Sequence, residues 1–285
     1  MALSRLNWFT KGKLVMTRRV QANAALLGRT FDLVMKFTNI FAFLLALVLC
    51  ADSLADESGF ISIFDGTSLK GWRPGDASYW SVEDGAITAR ITEDHPCTVN
   101  QYLVYEDDKP SDFELKLEVR MNGDGGINGG FQFRSRQLPD NDVCGYQMDN
   151  NLQTPWLVRL YDEYGRHDLA LRGERATFDK DAKRSVEPLP EGAGDPWFKL
   201  EEWHEYHLVC VGNKISLRVN DRLAAEIEDN DPRRAEPQGI LALQLHSGPE
   251  TEVQFRNIRL RILSQIDIAN RQIFPFEGNK PKVIA

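Results

Sequence analysis

Residues Phe113–Met121 (FELKLEVRM) put Phe113, Leu115, Leu117, Val119 and Met121 on one side of an extended chain. Glu114, Lys116, Glu118 and Arg120 take the other side. A period of two fits a half-buried strand and no helix, because helix faces repeat every 3.6 residues. The same period recurs down the chain. Trp80–Ala89 (WSVEDGAITA) reads as a hairpin, with Asp84-Gly85 supplying the positive φ values of a tight turn. Tyr206–Val211 and Lys214–Asn220 pair around Gly212-Asn213, and Asn220-Asp221 turns the chain into Leu223–Ile227. In Gly239–His246 (GILALQLH), Leu241, Leu243 and Leu245 share one face, while Gln244 and His246 share the other. The apolar parity of Val253–Ile262 changes after Phe255, which predicts a β-bulge near Arg256-Asn257. Many strands, short turns and no strand-helix alternation predict an all-β antiparallel sandwich. Residues 171–200 lack the pattern and read as a long surface excursion with a short helix. Residues 264–285 read as a C-terminal tail.

The chain of 285 residues carries a formal net charge of −8, unevenly spread. Residues 1–55 hold seven Lys/Arg and two acids, so residues 56–285 hold 27 basic and 40 acidic side chains, a net of −13. That charge repels nucleic acid and anionic lipid, and it favours a neutral ligand such as a sugar. Met35-Lys36 precedes an apolar run, Ile40–Cys50 (IFAFLLALVLC), and Ser53-Leu54-Ala55 has the small-x-small form of a cleavage site. The run is short for a bilayer span and right for a signal-peptide core. The reading is an upstream extension and signal peptide over 1–55, then a folded domain over 56–263. It implies a periplasmic or secreted protein with no stable membrane span after cleavage. A lipoprotein anchor on Cys50 fits less well, because Leu49 before it is not small. After cleavage Cys97, Cys144 and Cys210 remain; one disulfide among them is allowed, and no zinc spacing occurs.

Candidate chemistry sits on strands. Gly123–Arg136 (GDGGINGGFQFRSR) opens with glycines but continues as a strand, which excludes a phosphate loop. Alternation turns Phe131 and Phe133 inward, and Gln132 and Arg134 outward. Tyr146, Gln147, Asp149, Tyr161, Asp162 and Glu163 are suitable partners for sugar hydroxyls. His246 shares a face with Gln244 and is a candidate base or ligand. His204 and His207 read as structural. Asp140-Asn141-Asp142 and Asp229-Asn230-Asp231 read as surface turns and not as calcium loops, since neither has the EF-hand pattern.

Six segments in order resemble a known family: FDGTSLKGW at Phe64–Trp72, NGGFQFRSR at Asn128–Arg136, GYQMD at Gly145–Asp149, LYDE at Leu160–Glu163, EWHEY at Glu202–Tyr206, and GILALQLHSG at Gly239–Gly248 with FRNI at Phe255–Ile258. This set resembles the bacterial 3-keto-disaccharide hydrolase domain, also called 3-keto-glucoside 1,2-lyase/2-hydroxy-glucal hydratase. The resemblance implies a concanavalin-like jelly-roll sandwich of two antiparallel sheets. It also implies cleavage of a 3-keto glucoside or disaccharide: a base removes the proton at C2, the group on C1 leaves, and water adds to the glucal. His246, Asp149 and Glu163 are then the catalytic candidates. Gln132, Arg134, Tyr146, Gln147, Tyr161, Asp162 and Gln244 are the candidates for substrate binding. A divalent metal would serve at the enolate oxygen. His204 stands where the family more often has Asn, and no acid occupies Gly145-Tyr146. The alternative on the same fold is a non-catalytic carbohydrate-binding module; a structural surface protein is a third reading.

Overall fold

The computed structural model of the protein describes residues 58–123, 125–153, 155–189 and 198–271; the expected signal segment and the last part of the tail lie outside them. In chain order the strands are β1 (Ile61–Ser62), β2 (Trp72–Pro74), β3 (Trp80–Glu83), β4 (Ala86–Ile91), β5 (Gln101–Tyr105) and β6 (Phe113–Gly123). There follow β7 (Gly129–Gln137), β8 (Val143–Asp149), β9 (Arg159–Glu163), β10 (His167–Ala170), β11 (Glu174–Phe178) and β12 (Arg184–Pro188). The last are β13 (His204–Val211), β14 (Lys214–Val219), β15 (Arg222–Asp229), β16 (Ile240–Leu245) and β17 (Thr251–Ile262), with one helix, α1 (Gln265–Arg271).

The strands form two sheets. The larger runs β12-β11-β15-β14-β13-β6-β17-β4-β3, with β1 added on β17; the smaller runs β10-β9-β8-β7-β16-β5-β2. This is the sandwich that the alternation predicts and the jelly roll that the resemblance implies, with one parallel exception: β11 pairs β15 in parallel. The exception falls in the stretch read as a surface excursion. Glu174–Phe178 and Arg184–Pro188 are strands there, and the charges that mask their alternation lie on an exposed edge, where β12 is solvated along its whole length. The tail reading also changes, since 265–271 is helical.

The three predicted turns are present, with positive φ at Asp84 and Gly85, at Gly212, and at Asn220 and Asp221. The register shift between Arg256 and Arg259, with Asn257 at φ 51, is the bulge that the parity change requires. One apolar layer fills the space between the sheets. Phe113, Leu115, Leu117, Val119 and Met121 from β6 join Leu103, Phe131, Phe133, Met148, Leu160, Leu243 and Leu245 from the smaller sheet in one buried cluster. Each such side chain contributes roughly 1.5–3 kcal/mol by leaving water. Cys97, Cys144 and Cys210 are buried free thiols, so no disulfide forms among them.

The outer side of the larger sheet is tied by ion pairs. Arg90 holds Glu83 and Glu252, Arg256 holds Glu118, and Glu114 lies between His207 and Arg261. Burial pushes the Glu114 carboxyl up, but the bonds from His207 and Arg261 outweigh it and leave it below its usual range. The outer side of the smaller sheet is built differently.

Candidate functional site

Since β7, β8, β9 and β16 bury Phe131, Met148, Leu160 and Leu243 on the inner side, their alternate residues must point out. The register sets these in rows. Ala242, Gln132, Gln147 and Tyr161 form one row; Tyr102, Gln244, Gly130, Asp149 and Arg159 form the next. A methyl on Gly130 would meet the Met148 carbonyl oxygen at 2.1 Å, so only glycine fits between Gln244 and Asp149.

The floor of this face is polar and buried: Tyr102, Gln132, Gln147, Asp149 and Gln244 are each at most 2% exposed. Gln147 Nε2 donates to Gln244 Oε1 at 2.6 Å, and Gln244 Nε2 donates to the Tyr102 hydroxyl at 3.1 Å. Asp149 Oδ2 accepts from Arg159 Nε at 2.6 Å, and Arg159 also holds Asp168. The Arg159 guanidinium lies 4.4 Å from the Tyr161 ring centroid and 5.7 Å from that of Trp156. Three buried atoms on the floor have no hydrogen-bond partner: Gln132 Nε2, Gln147 Oε1 and Asp149 Oδ1. A lone buried polar atom costs about 1–3 kcal/mol, so three on one side of one sheet make this floor polar and incompletely bonded.

The rim is half-buried and acidic. Burial and the nearby Asp149 charge push the Glu163 carboxyl up to about 7. Burial also raises Asp149, against the opposing pull of Arg159 and His246. Glu163 lines a hollow of about 140 Å³ with Arg136, Gly145, Tyr164 and Arg234. His246, just past the end of β16, bonds the Ser247 carbonyl through Nδ1 at 2.6 Å. A carbonyl only accepts, so a neutral ring carries its proton on Nδ1 and presents Nε2 as the basic nitrogen.

The structure thus brings Gln132, Gln147, Asp149, Tyr161, Glu163, Gln244 and His246 to one side of the smaller sheet. It takes Arg134 and Tyr146 elsewhere, while Asp162 borders the hollow of Glu163 but commits its carboxylate to Arg166. Alternation would put Arg134 beside Gln132, but Arg134 has φ 45 and sits in a bulge. Its guanidinium instead donates to the carbonyls of Ser111 (2.8 Å) and Gly212 (2.7 Å), where it is buried. Tyr146 faces the core, stacks on Phe133 and bonds Asp229. Asp162 binds Arg166, which is also held by Asp229 at 2.6 and 2.9 Å. The reading of Asp229-Asn230-Asp231 as a solvated turn is corrected with it: Asp229 and Asp231 are both buried. Sequence reasoning passed over Arg159, Tyr102 and Trp156. Arg159 had a signal, since it alternates with Tyr161 and Glu163 in LVRLYDE.

The metal expectation finds no ready site. Among the described residues no three His, Cys, Asp or Glu side chains group closely enough to hold an ion, and Asp149 commits one oxygen to Arg159. Among the described residues no helix is long and apolar enough to cross a membrane.

Residues 59–261 match the family model of the 3-keto-alpha-glucoside-1,2-lyase-like domain. The chain belongs to this family. Membership in the 3-keto-alpha-glucoside-1,2-lyase-like domain family gives it a carbohydrate-related function. A search of curated proteins finds no match. Similar solved structures include a candidate glycosyl hydrolase from Parabacteroides distasonis ATCC 8503, at 17% identity and TM-score 0.49, covering 73% of this chain and 96% of that one. The carbohydrate-binding module CBM66 from Bacillus subtilis matches at 17% identity and TM-score 0.44, over 67% of this chain and 95% of that one. A Bacillus subtilis protein with a galectin-like fold matches at 11% identity and TM-score 0.46, over 68% and 90%.

Proposed function

We propose that the domain is an exported enzyme that cleaves 3-keto glycosides by elimination and hydration. The observation that carries this is Glu163, a carboxyl titrating at about 7 on the rim of a buried polar floor. A ketone at C3 makes the C2 proton acidic. A base near neutral pKa is then matched to the task, since it is ionised in a large fraction at pH 7 and can return the proton. Glu163 takes the C2 proton, the electron pair forms the enolate, and the bond from C1 to the leaving oxygen breaks. The leaving group departs as an alcohol after protonation, and water adds at C1 to complete a net hydrolysis.

Gln132 Nε2 is an unpartnered donor for the enolate oxygen on C3, the kind of preorganised dipole that stabilises developing charge. Gln147 Oε1 and Asp149 Oδ1 are unpartnered acceptors for sugar hydroxyls. Arg159 positions Asp149 by fixing its other oxygen. Tyr161 and Trp156 offer ring faces to the sugar, and Gln244 and His246 bind its far end. The substrate is a 3-keto glucoside or disaccharide, and the protein works in the periplasm or outside the cell.

Purified protein given 3-keto glucosides, with and without a chelator, tests this directly. Loss of turnover in Glu163→Gln with retained binding is the expected result. Binding without turnover in the native chain, with divalent metals supplied, would instead favour a carbohydrate-binding module.

A further inference from the structure

The outer side of the smaller sheet continues past the glutamines to its β2 edge. By register, Arg73, Val104, Ala242, Gln132, Gln147 and Tyr161 form one row across the strands. Strands lie about 4.8 Å apart, so Arg73 is three spacings, roughly 14 Å, from Gln132. At this end of the row is a hollow of about 510 Å³. Three cations line it, Arg73, Lys109 and Arg136, with the amides of Gln137 and Gln238 and the acid Glu106. Arg136 also lines the hollow of Glu163, so the two spaces meet there. The charges of the larger hollow do not cancel. Arg73 holds Glu106 at 2.7 Å and donates to Gln137 Oε1 at 2.8 Å, which neutralises the acid. The Lys109 ammonium has no partner among the described residues. Arg136 stays 3.9 Å from Glu236, beyond hydrogen-bond reach. Two uncommitted cations thus meet at one hollow of a domain with 27 basic and 40 acidic side chains, and they invert its field locally.

We infer that this charged hollow receives the leaving unit, and that the preferred leaving unit carries a carboxylate, as a uronic acid does. The inference rests on the proposed reading of Glu163 as the base. C1 is one bond from C2, so a sugar with its C2 at the Glu163 hollow sends its leaving oxygen into an adjoining space, and this one adjoins at Arg136. A neutral second sugar can bond the amides of Gln137 and Gln238 but leaves both cations to water. A carboxylate meets them with charge-assisted bonds, and the planar fork of Arg136 matches its two oxygens. The glycone end has the opposite character, since its unpartnered acceptors on Gln147 and Asp149 suit neutral hydroxyls.

The test compares a 3-keto glucosyl-glucuronate with its C6 primary amide, which has the same shape and no charge. A kcat/KM roughly tenfold higher for the carboxylate is expected, from charge-assisted bonds that the amide lacks. The ratio should fall at least about threefold in Lys109→Met and in Arg136→Gln, with thermal melting confirming that both fold. It should also shrink in about 1 M sodium chloride, where the screening length is about 3 Å. A ratio near one in the native chain, a ratio that ignores salt, or an unchanged ratio in both folded variants overturns the inference. If neither ketone is turned over, the enzymatic reading fails, and calorimetry with the unoxidised glucosyl-glucuronate and its amide decides the hollow separately. The carboxylate should then bind roughly tenfold tighter; equal affinity, or no binding of either, overturns the assignment.

Discussion

Two of the buried polar clusters, one around Arg166 and one on the outer side of the smaller sheet, differ in how far their hydrogen bonds are complete. Around Arg166 the groups close on one another: the guanidinium reaches Asp162 and both oxygens of Asp229, Tyr146 adds a bond to Asp229, and the Asp231 amide donates to it at 3.2 Å. On the outer side of the smaller sheet, Gln132, Gln147 and Asp149 each leave an atom without a partner. Both clusters cost desolvation. Around Arg166 the bonds recover most of it within the protein, which is the behaviour of a structural clamp; the second leaves three atoms unbonded. Both contain Arg, Asp and Tyr, and the second adds the glutamines Gln132, Gln147 and Gln244.

The largest expected effect is on turnover. Glu163→Gln should lower kcat on a 3-keto glucoside by about 100- to 10,000-fold, with thermal melting showing a native fold; activity within tenfold of native would place the base elsewhere. Next comes the clamp. Arg166→Met leaves Asp229 and Asp162 buried without their cation and should cost about 3–5 kcal/mol in urea unfolding, and a loss under 1 kcal/mol would break the contrast.

The pH dependence follows from the raised Glu163 carboxyl. Its value in the folded chain, about 7, exceeds the ordinary 4.5, so the folded state binds more protons between these limits. Stability should therefore fall as pH rises from 4.5 to 7, by an amount on the order of 2 kcal/mol, and Glu163→Gln should remove that slope. Over the same range kcat/KM should rise as the base ionises. A flat difference between the two stability profiles would show that Glu163 is not raised. The smallest effect is expected at Gln132→Leu. Removing an unpartnered buried donor should change stability by no more than about 1 kcal/mol, while sugar affinity drops by roughly tenfold, read by calorimetry.

Much of this fold was legible because alternation is a direct image of a sheet with one wet side. Phe113–Met121 specified β6, and the parity break after Phe255 specified a bulge. Arg184–Pro188 was hidden because an edge strand that buries neither side has no alternation to show, and Glu174–Phe178, next to it, was hidden because it is short and turns only Ala176 and Phe178 inward. The site was legible where a strand runs regularly, so that Gln132, Gln147, Asp149, Glu163 and Gln244 fell together. It failed at Arg134, where a positive φ reverses the side-chain direction, and at Tyr146 and Asp162, which lie on the inner side. A bulge in a polar strand leaves no parity mark, because no apolar residue shifts sides. Arg159 was missed because a cation in a segment of acids reads as surface charge.

The position of β17 also bears on how the chain is made. This strand ends at Ile262, yet it lies between β6 and β4 within the larger sheet. A nascent chain that stops short of Thr251 lacks a central member of that sheet, and β4 and β6 have nothing to join them. Closure thus waits until nearly the whole domain has been synthesised, and pairings between residues such as Ile87 and Phe255 make it slow by the standard of chains with local contacts. Such a delay keeps the polypeptide open late in its synthesis, the state in which a chain can be threaded through a narrow pore.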